Sequence, residues 1–323
     1  MNSATRPSSS SQGRDDTGST SKLGNLRQWQ PACPVRASLL VCHGMAEHGA
    51  RYARLATALN TQGIAVYAPD LRGHGPNAQH QLGQLPGGWA ALEEDLASWL
   101  RALREYKPDL PVILLGHSMG SYLAQGLVLQ HPALVDALIL SGSNAHPPAL
   151  SRIGCLAAAI EGCLRAESAP AQTLGKLSFG QFNKAFAPNR TEFDWLTRDP
   201  AEVDAYIRDP LCGFTLTANY WRGLFTTLLR IAEPKQLARI SPELPTLILG
   251  GAQDPVSAGK GLPKLHARLQ QAGLKRLELR VYPEARHEVF NEINREQITR
   301  ETLDWILATL SLDSIGNPAD ENA

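Results

Sequence analysis

Short apolar runs alternate with amphipathic stretches along most of the chain. The runs are rich in Val, Ile, Leu and Ala and have the length of buried strands. They predict strands at Ala37–Cys42, Ile64–Ala68, Val112–Leu115, Ala137–Leu140, Thr246–Leu249 and Leu277–Val281. Helical spacing of apolar residues between them predicts helices at Tyr52–Gln62, Trp89–Tyr106, Ser118–His131, Gly261–Ala272 and Glu292–Leu310. This alternation predicts an α/β fold with a mostly parallel sheet and helices on both faces.

The two ends of the chain depart from this pattern. Residues 1–21 are mainly Ser, Thr, Gly, Asp and Arg and contain no apolar segment, so we expect a disordered tail and neither a secretory signal nor a membrane anchor. Arg27–Gln30 fits an antiparallel edge strand, and a still earlier strand would have to fit into Thr20–Gly24. We predict a second flexible tail at residues 314–323.

The alternation also fails between Asn144 and about Ile240. Apolar residues recur there at helical spacing, for example in Tyr220-Leu224-Leu228-Ile231. The resulting boundaries are a core of residues 22–144 and 241–313 and a helical cap of residues 145–240. The insertion leaves the core at the carboxyl end of the sheet, where ligands bind in open α/β folds, so we expect it to shape a substrate site. The alternative is a helical layer that only protects an edge.

The pentapeptide Gly116-His-Ser-Met-Gly120 joins a predicted strand to a predicted helix. A G-x-S-x-G sequence in this context is typical of a nucleophile elbow, where the serine adopts strained backbone angles and the glycines let strand and helix approach closely. The pentapeptide alone also occurs by chance, but the flanking strand and helix make Ser118 a candidate nucleophile.

A serine nucleophile needs a histidine base and a carboxylate that orients the histidine. His287 follows the last predicted strand, at the same sheet end as Ser118, and is the candidate base. Asp254 follows the strand Thr246–Leu249 and is the candidate acid, which gives the order serine, acid, histidine of an α/β-hydrolase. The backbone N–H groups of Met119, after the serine, and of Met45, after an earlier strand, are the candidate oxyanion donors.

Other residues compete for these roles. His43, His74 and His117 each adjoin a glycine and also fit turn or packing positions. Asp70 ends a strand but precedes the serine, and a loop held together by Asp70 and Arg72 is a simpler explanation. We expect solvated side chains for the remaining histidines, which are His48, His80, His131, His146 and His266.

Composition excludes several classes of function. Lys plus Arg and Asp plus Glu both total 31, so the formal net charge is zero, and we expect no nucleic-acid partner. The 5 cysteines include no C-x-x-C pair, which favours reduced thiols and a cytoplasmic location. No apolar run reaches the roughly 18 to 20 residues of a membrane span, although peripheral lipid contact through the cap stays open.

Four segments together resemble the monoacylglycerol lipase and lysophospholipase branch of the α/β-hydrolases, with a serine aminopeptidase-like hydrolase domain. They are His43-Gly-Met-Ala-Glu-His-Gly-Ala-Arg-Tyr52, Asp70-Leu-Arg-Gly-His-Gly75, Gly116-His-Ser-Met-Gly120 and Gly250-Gly-Ala-Gln-Asp-Pro255. The resemblance implies a Ser118, Asp254 and His287 triad with Met45 and Met119 as oxyanion donors. It further implies that Glu47 and Arg51 line a polar pocket end that receives glycerol; an ion pair one helical turn apart is the alternative.

These observations predict a carboxylic-ester hydrolase that forms an acyl-enzyme on Ser118 and needs no metal or organic cofactor. We expect a small acyl ester or lipid as substrate, either a monoacylglycerol or a lysophospholipid, with the acyl chain held by apolar cap helices. A thioesterase, acyltransferase or peptidase would use the same triad. A ligand receptor that keeps the hydrolase fold without its chemistry is the alternative from another class.

Overall fold

The computed structural model describes residues 23–24, 26–78, 81–166 and 168–315. Within these residues, seven strands form a single sheet. The strands are β1 (Arg27–Trp29), β2 (Ala37–Cys42), β3 (Ile64–Ala68), β4 (Val112–His117), β5 (Ala137–Ser141), β6 (Thr246–Gly251) and β7 (Leu277–Tyr282).

The helices surround this sheet. They are α1 (Ala53–Asn60), α2 (Gly88–Tyr106), α3 (Met119–Gln130), α4 (Pro148–Leu164), α5 (Gln172–Phe182), α6 (Pro200–Arg208), α7 (Ala218–Arg230), α8 (Pro234–Leu237), α9 (Gly261–Gln271) and α10 (Arg295–Thr309). Short 3₁₀ turns also occur, among them Gly49–Tyr52 before α1 and Val289–Asn291 before α10.

The strand order is β1-β3-β2-β4-β5-β6-β7. β1 runs antiparallel to β3, and all the other pairs are parallel. Cys42 lies opposite Gly116, and His117 lies opposite Ser141. Because the central strands end at nearly the same level, the loops that follow them meet at one edge of the sheet, and the candidate site lies there.

Each face of the sheet carries its own apolar core. Leu39 of β2 and Ile113 of β4 pack on one face with Leu59 of α1 and Ile306 of α10. Neighbouring residues in the same strands point the other way, because side chains alternate along a strand. Leu40 and Leu114 therefore pack on the opposite face, where α2, α3 and α9 cover the sheet. The predicted α/β fold, with a mostly parallel sheet and helices on both faces, is confirmed.

The element boundaries differ slightly from the predicted ones. β4 extends to His117, and the helix predicted from Ser118 begins at Met119 because Ser118 has non-helical backbone angles. The predicted edge strand is present as Arg27–Trp29. The earlier strand at Thr20–Gly24 lies largely outside the described residues, and its two described residues, Leu23 and Gly24, are helical. The predicted tails fall outside the described residues too, apart from residues 314 and 315.

The helices α4 to α8 all lie between β5 and β6, within the predicted cap. α4 packs along α7, and α7 in turn contacts α2 and α3 of the core. Tyr220 of α7 is completely buried and shares one apolar cluster with Leu96 of α2 and Leu123 of α3. The cap helices therefore rest on the core through α7, above the carboxyl edge of the sheet.

Candidate active site

Ser118 occupies a sharp turn between β4 and α3. Its backbone angles are φ 50° and ψ −120°, in a region that L-residues rarely adopt. A Cβ on Gly120 would lie 2.0 Å from the carbonyl oxygen of Cys42, and one on Gly116 would lie 2.5 Å from that of Gly120. The turn therefore requires both glycines, and it leaves Ser118 partly exposed although its neighbours are buried.

His287 and Asp254 are hydrogen-bonded to each other. The distance from His287 Nδ1 to Asp254 Oδ1 is 3.0 Å, and both side chains are almost completely buried. The same Oδ1 accepts the backbone N–H of Val256 at 2.9 Å, which holds the carboxylate in place. A Cβ on Gly142, after β5, would lie 3.0 Å from His287 Cε1, so the imidazole sits against the carboxyl end of the central strands.

The surroundings of His287 favour its protonated form. Burial lowers the pKa of His287, but the charge of Asp254 and the hydrogen bond to it outweigh burial and raise the pKa above the ordinary value of 6.5. His117 behaves in the opposite way. Burial and the positive charge of a protonated His287 lower the pKa of His117 to about 4, so His117 is neutral near pH 7.

Two cavities meet at Ser118. The larger has a volume of about 630 Å³ and combines polar side chains, among them Ser118, His287, Glu47 and Glu288, with apolar ones such as Phe193. The smaller has a volume of about 100 Å³, and its walls are mainly aromatic and aliphatic, including Tyr122, Trp221, Leu224, Phe225 and Leu228. Met45, Ser118, Phe179 and Trp195 line both cavities.

The turn after β2 passes close to Ser118. A Cβ on Gly44 would lie 3.3 Å from Ser118 Cβ. The N–H of Gly44 donates to Glu47 Oε1 at 2.6 Å, and the N–H of Ala46 donates to His74 Nε2 at 3.2 Å. The N–H of Met45, between them, has no acceptor among the described residues. Met119 is the first residue of α3, where the helix offers its N–H no partner.

A buried ion-pair network lies beside this turn. Arg51 donates to Glu47 Oε2 at 2.7 Å and to both carboxylate oxygens of Glu288 at 2.6 and 2.7 Å. Burial raises the pKa of Glu288, but Arg51 outweighs burial and brings it down to about 2. The ion-pair alternative for Glu47 and Arg51 is therefore present in the structure, with Glu288 as a third member that the sequence analysis did not find.

Two of the competing residues, His43 and Asp70, bond to backbone groups. His43 Nδ1 contacts the carbonyl oxygen of Gly44 at 2.8 Å, and His43 Nε2 accepts the N–H of Leu71 at 3.0 Å. Asp70 accepts the N–H of Gly49 at 2.8 Å. These bonds hold the turns that follow β2 and β3.

Arg72 is held by Asp95 of α2, to which its Nη2 donates at 2.8 Å. One expectation about this region was wrong. His48, expected to be solvated, is 6% exposed and contacts Asp209 Oδ2 through Nε2 at 2.8 Å. The cap supplies Asp209, so this burial depends on a contact between residues distant in sequence.

One group of side chains has the composition of a metal site. Potential ligand atoms of His48, Asp209 and Cys212 lie within 4.8 Å of one another. His48 already contacts Asp209, and the guanidinium of Arg51 lies near enough to Cys212 to act on the pKa of its thiol. Because that positive charge opposes binding of a cation, we assign no metal to this group.

Trp195 adjoins the candidate base and Glu292 bonds to the residue before it, and neither was singled out from the sequence. The Trp195 ring lies 5.1 Å from the His287 ring between centroids. Glu292, which is fully buried, accepts the N–H of Arg286 at 2.8 Å. Neither residue belongs to a recognisable motif, so only the fold reveals their proximity to His287.

Solved structures share the whole architecture. A thermostable carboxyl esterase from Bacillus coagulans, in complex with glycerol, superposes with a TM-score of 0.79 at 25% identity, over 88% of this chain and 93% of that chain. Fold and site thus define the class, and the chain is an α/β-hydrolase.

The family follows from the sequence comparisons. The family model described as serine aminopeptidase, S33, matches residues 33–294. A monoacylglycerol lipase of Mycolicibacterium smegmatis is 30% identical over 294 residues, which cover 87% of this chain and 92% of that lipase. A monoglyceride lipase of Mus musculus is 28% identical over 279 residues, covering 83% and 84%. The chain belongs to the serine aminopeptidase family of α/β-hydrolases and is a serine ester hydrolase.

Proposed function

We propose that the chain hydrolyses monoacylglycerols, with Ser118 as nucleophile, His287 as base and Asp254 as the acid that orients His287. The hydrogen bond between His287 Nδ1 and Asp254, next to a cavity shared by His287 and Ser118, carries the proposal. Since Nδ1 is bonded to Asp254, Nε2 is the ring nitrogen available to the serine hydroxyl.

The reaction proceeds in two steps. Ser118 Oγ attacks the ester carbonyl while His287 takes its proton, and the glycerol leaves with a proton returned by His287. Water, activated by the same imidazole, then hydrolyses the acyl-enzyme. The N–H groups of Met45 and Met119 stabilise the oxyanion in both steps, because neither has a competing acceptor among the described residues.

The two cavities at Ser118 suit the two halves of a monoacylglycerol. The smaller, apolar cavity lies under the cap and accepts the acyl chain, since its walls include Tyr122, Trp221 and Leu224. The larger cavity carries polar side chains and accepts the glycerol. Glu47 and Glu288 line this cavity. Arg51 does not line it, but it hydrogen-bonds to both carboxylates and so fixes their positions.

Charge favours a neutral head group over a phosphate. The charged side chains around the larger cavity are Glu47, Glu192, Glu288 and Lys176. A lysophospholipid would bring an anionic phosphate next to carboxylates, which repel it. We therefore place monoacylglycerols ahead of lysophospholipids. Faster turnover of lysophosphatidylcholine than of monooleoylglycerol at equal concentration would reverse this order.

The names of the relatives support an ester substrate, whereas the family name raises a peptidase as the second candidate. Both reactions use the same nucleophile, and they differ in the group that leaves. A panel of monoacylglycerol, thioester and aminoacyl-amide substrates separates them. A preference for the amide would favour the peptidase, and transfer of the acyl group to an added alcohol would indicate an acyltransferase.

An apolar surface on the cap suits contact with a lipid aggregate. Leu150, Ile153, Leu156, Ile160 and Leu164 of α4 are 53–79% exposed. Among the described residues no helix has the length and hydropathy to cross a bilayer. We propose that this face, here called the α4 face, rests on lipid surfaces.

We also propose a cytoplasmic location, which the five free cysteines support.

Replacement of the nucleophile tests the central proposal. We expect Ser118→Ala to abolish hydrolysis of monooleoylglycerol and of p-nitrophenyl butyrate, and to abolish labelling by a fluorophosphonate, with an unchanged circular dichroism spectrum. Ser241→Ala, at an exposed serine, serves as the matched control and should behave as wild type. Absence of fluorophosphonate labelling in the folded wild-type protein would instead favour a receptor without chemistry.

A further inference from the structure

The imidazole of His287 packs against two other rings. The centroid of His117 is 4.9 Å away, and the centroid of Trp195 is 5.1 Å away with the planes inclined by 38°. His117 belongs to the core, at the end of β4, whereas Trp195 belongs to the cap. The hydrogen bond to Asp254 fixes only Nδ1, so the flanking rings restrict how the imidazole can turn about that bond.

Trp195 is the second residue of a cap segment that we call the strap, residues 194–198. All five of its residues contact the loop that carries His287. The guanidinium of Arg286 donates to the carbonyl oxygens of Asp194 and Thr197. The N–H of Glu288 donates to the carbonyl oxygen of Leu196 at 2.7 Å.

The far end of the strap is held by a buried carboxylate. Glu292 accepts the N–H of Arg198 at 3.1 Å and its Nε at 2.8 Å, and it also accepts the N–H of Arg286 at 2.8 Å. Thr197 Oγ1 donates to the carbonyl oxygen of Asn291 at 2.9 Å. Strap and loop therefore form one hydrogen-bonded unit around His287.

Trp195 is fixed from the cap side as well. Its backbone N–H donates to Asn183 Oδ1 at 3.0 Å, and its ring stacks on Phe179 with an inclination of 26°. Phe182 lies 5.0 Å away between centroids. With 5% of its surface exposed, the indole is held on several sides and presents a rigid surface to His287.

We propose that Trp195 is a positioning residue for His287, which makes the cap part of the catalytic apparatus as well as a cover for the substrate. This inference rests on the proposed role of His287 as base. Proton transfer needs the imidazole within hydrogen-bond reach of the serine, and a misplacement of about 1 Å lowers a rate by about 100-fold. Trp195 also lines both substrate cavities, so one side chain contacts the substrate space and orients the base.

The test compares Trp195→Leu with Trp221→Leu. Trp221 is equally buried and lines the apolar cavity, but its ring contacts in the described chain are with Phe179 and Phe225 and not with His287. We expect Trp195→Leu to lower kcat for p-nitrophenyl butyrate by about 10- to 100-fold with a small change in KM. Trp221→Leu should act mainly on KM for long acyl chains.

The pH profile gives a readout that a purely structural role does not move. Removal of the indole admits water, which changes both the burial of His287 and the effect of the Asp254 charge on its pKa, so the acid limb of kcat/KM should shift. Trp221→Leu should leave the acid limb unchanged. Trp195→Phe, which keeps an aromatic ring, should recover most of kcat. Trp195→Met, which removes the ring but keeps an apolar side chain, takes the place of Trp195→Leu if that variant does not fold.

The proposal is overturned if Trp195→Leu, or Trp195→Met in its place, keeps both the wild-type kcat and the wild-type acid limb. It is also overturned if Trp221→Leu shifts the acid limb as far as Trp195→Leu does. Failure of the triad itself would appear differently, as a wild-type protein without fluorophosphonate labelling, so the two failures are distinguishable.

Discussion

The imidazole rings of His117 and His287 lie 4.9 Å apart between centroids, and their pKa values shift in opposite directions. His287 has a carboxylate partner in Asp254, whereas Nδ1 of His117 faces the hydroxyl of Ser141 at 3.2 Å. Two adjacent buried histidines therefore titrate in different ranges, and His117 loses its proton at a lower pH than His287 does.

We expect the pH dependence of kcat/KM to report His287. Activity requires the neutral imidazole, and the raised pKa of His287 places the acid limb above pH 6.5, with activity falling as the pH drops through it. Asp254→Asn removes the charge that raises this pKa, so it should move the limb to lower pH and reduce kcat by about 1,000- to 10,000-fold. The measurement is the pH profile with p-nitrophenyl butyrate.

His117→Gln is the control for that profile. His117, with a pKa of about 4, is already neutral in the range where His287 titrates, so its replacement should leave the acid limb in place. An acid limb that follows His117 rather than Asp254 would show that the base was wrongly assigned.

Gly120→Ala should destabilise the nucleophile turn. The added methyl group would lie 2.0 Å from the carbonyl oxygen of Cys42, and backbone at that position cannot move without displacing β2. Overpacking of this kind costs about 3 kcal/mol, and we expect activity to fall with stability in urea denaturation. In Gly180→Ala, on α5, the new methyl group meets nothing within 4 Å, so a gain of about 0.5–1 kcal/mol is expected there. Equal effects at the two glycines would contradict the steric explanation.

Arg51→Met should cost about 3–5 kcal/mol in the free energy of unfolding, because it leaves Glu47 and Glu288 buried without their cation. The lowered pKa of Glu288 means that Arg51 contributes stability fully above the ordinary carboxyl pKa of 4.5, and that this contribution is lost as the pH falls toward 2. The destabilisation measured in urea should therefore shrink on acidification over that window. Arg101→Met, which breaks an exposed ion pair with Glu94, should have little effect at any of these pH values.

Negative charges on the α4 face should weaken lipid binding. Leu156 and Ile160 are 63% and 53% exposed, so Leu156→Asp with Ile160→Asp should not disturb the fold. We expect the double variant to sediment less with phosphatidylcholine vesicles and to hydrolyse p-nitrophenyl butyrate as wild type does. The control is Thr57→Asp with Gln270→Asp, which adds two negative charges at exposed positions outside the α4 face and should leave vesicle binding unchanged. Equal loss in both double variants would attribute the effect to net charge and remove the α4 face as the contact.

The sequence predicted the sheet and the nucleophile turn well. Buried strands of four to six residues have a clear pattern, and the fold with its parallel strands is confirmed. The side-chain partners of Arg72 and His48 could not be predicted from such a pattern. Asp95 lies 23 positions from Arg72, and Asp209 lies 161 positions from His48, so local spacing carries no information on either pair.

Within the candidate site, the contacts of Glu288 and Trp195 could not be predicted from the sequence either. Glu288 follows His287 directly, yet its partner Arg51 is 237 positions away, and no motif marks the pair. Trp195 lies in the cap, where the sequence predicted helices but not which residue would face the base. Pairing between distant residues depends on how the elements pack, and packing is a property of the whole chain.

The sequence by itself determined the elements, the strand-to-helix turn at Ser118 and the order of Ser118, Asp254 and His287, because periodicity and glycine requirements act over a few neighbouring residues. The tertiary structure alone decided that Trp195 packs against His287, that Arg51 joins Glu47 to Glu288, and that two cavities of different polarity meet at Ser118. These relationships arise where the loops after parallel strands converge under the cap, and there only the three-dimensional arrangement sets which side chains touch.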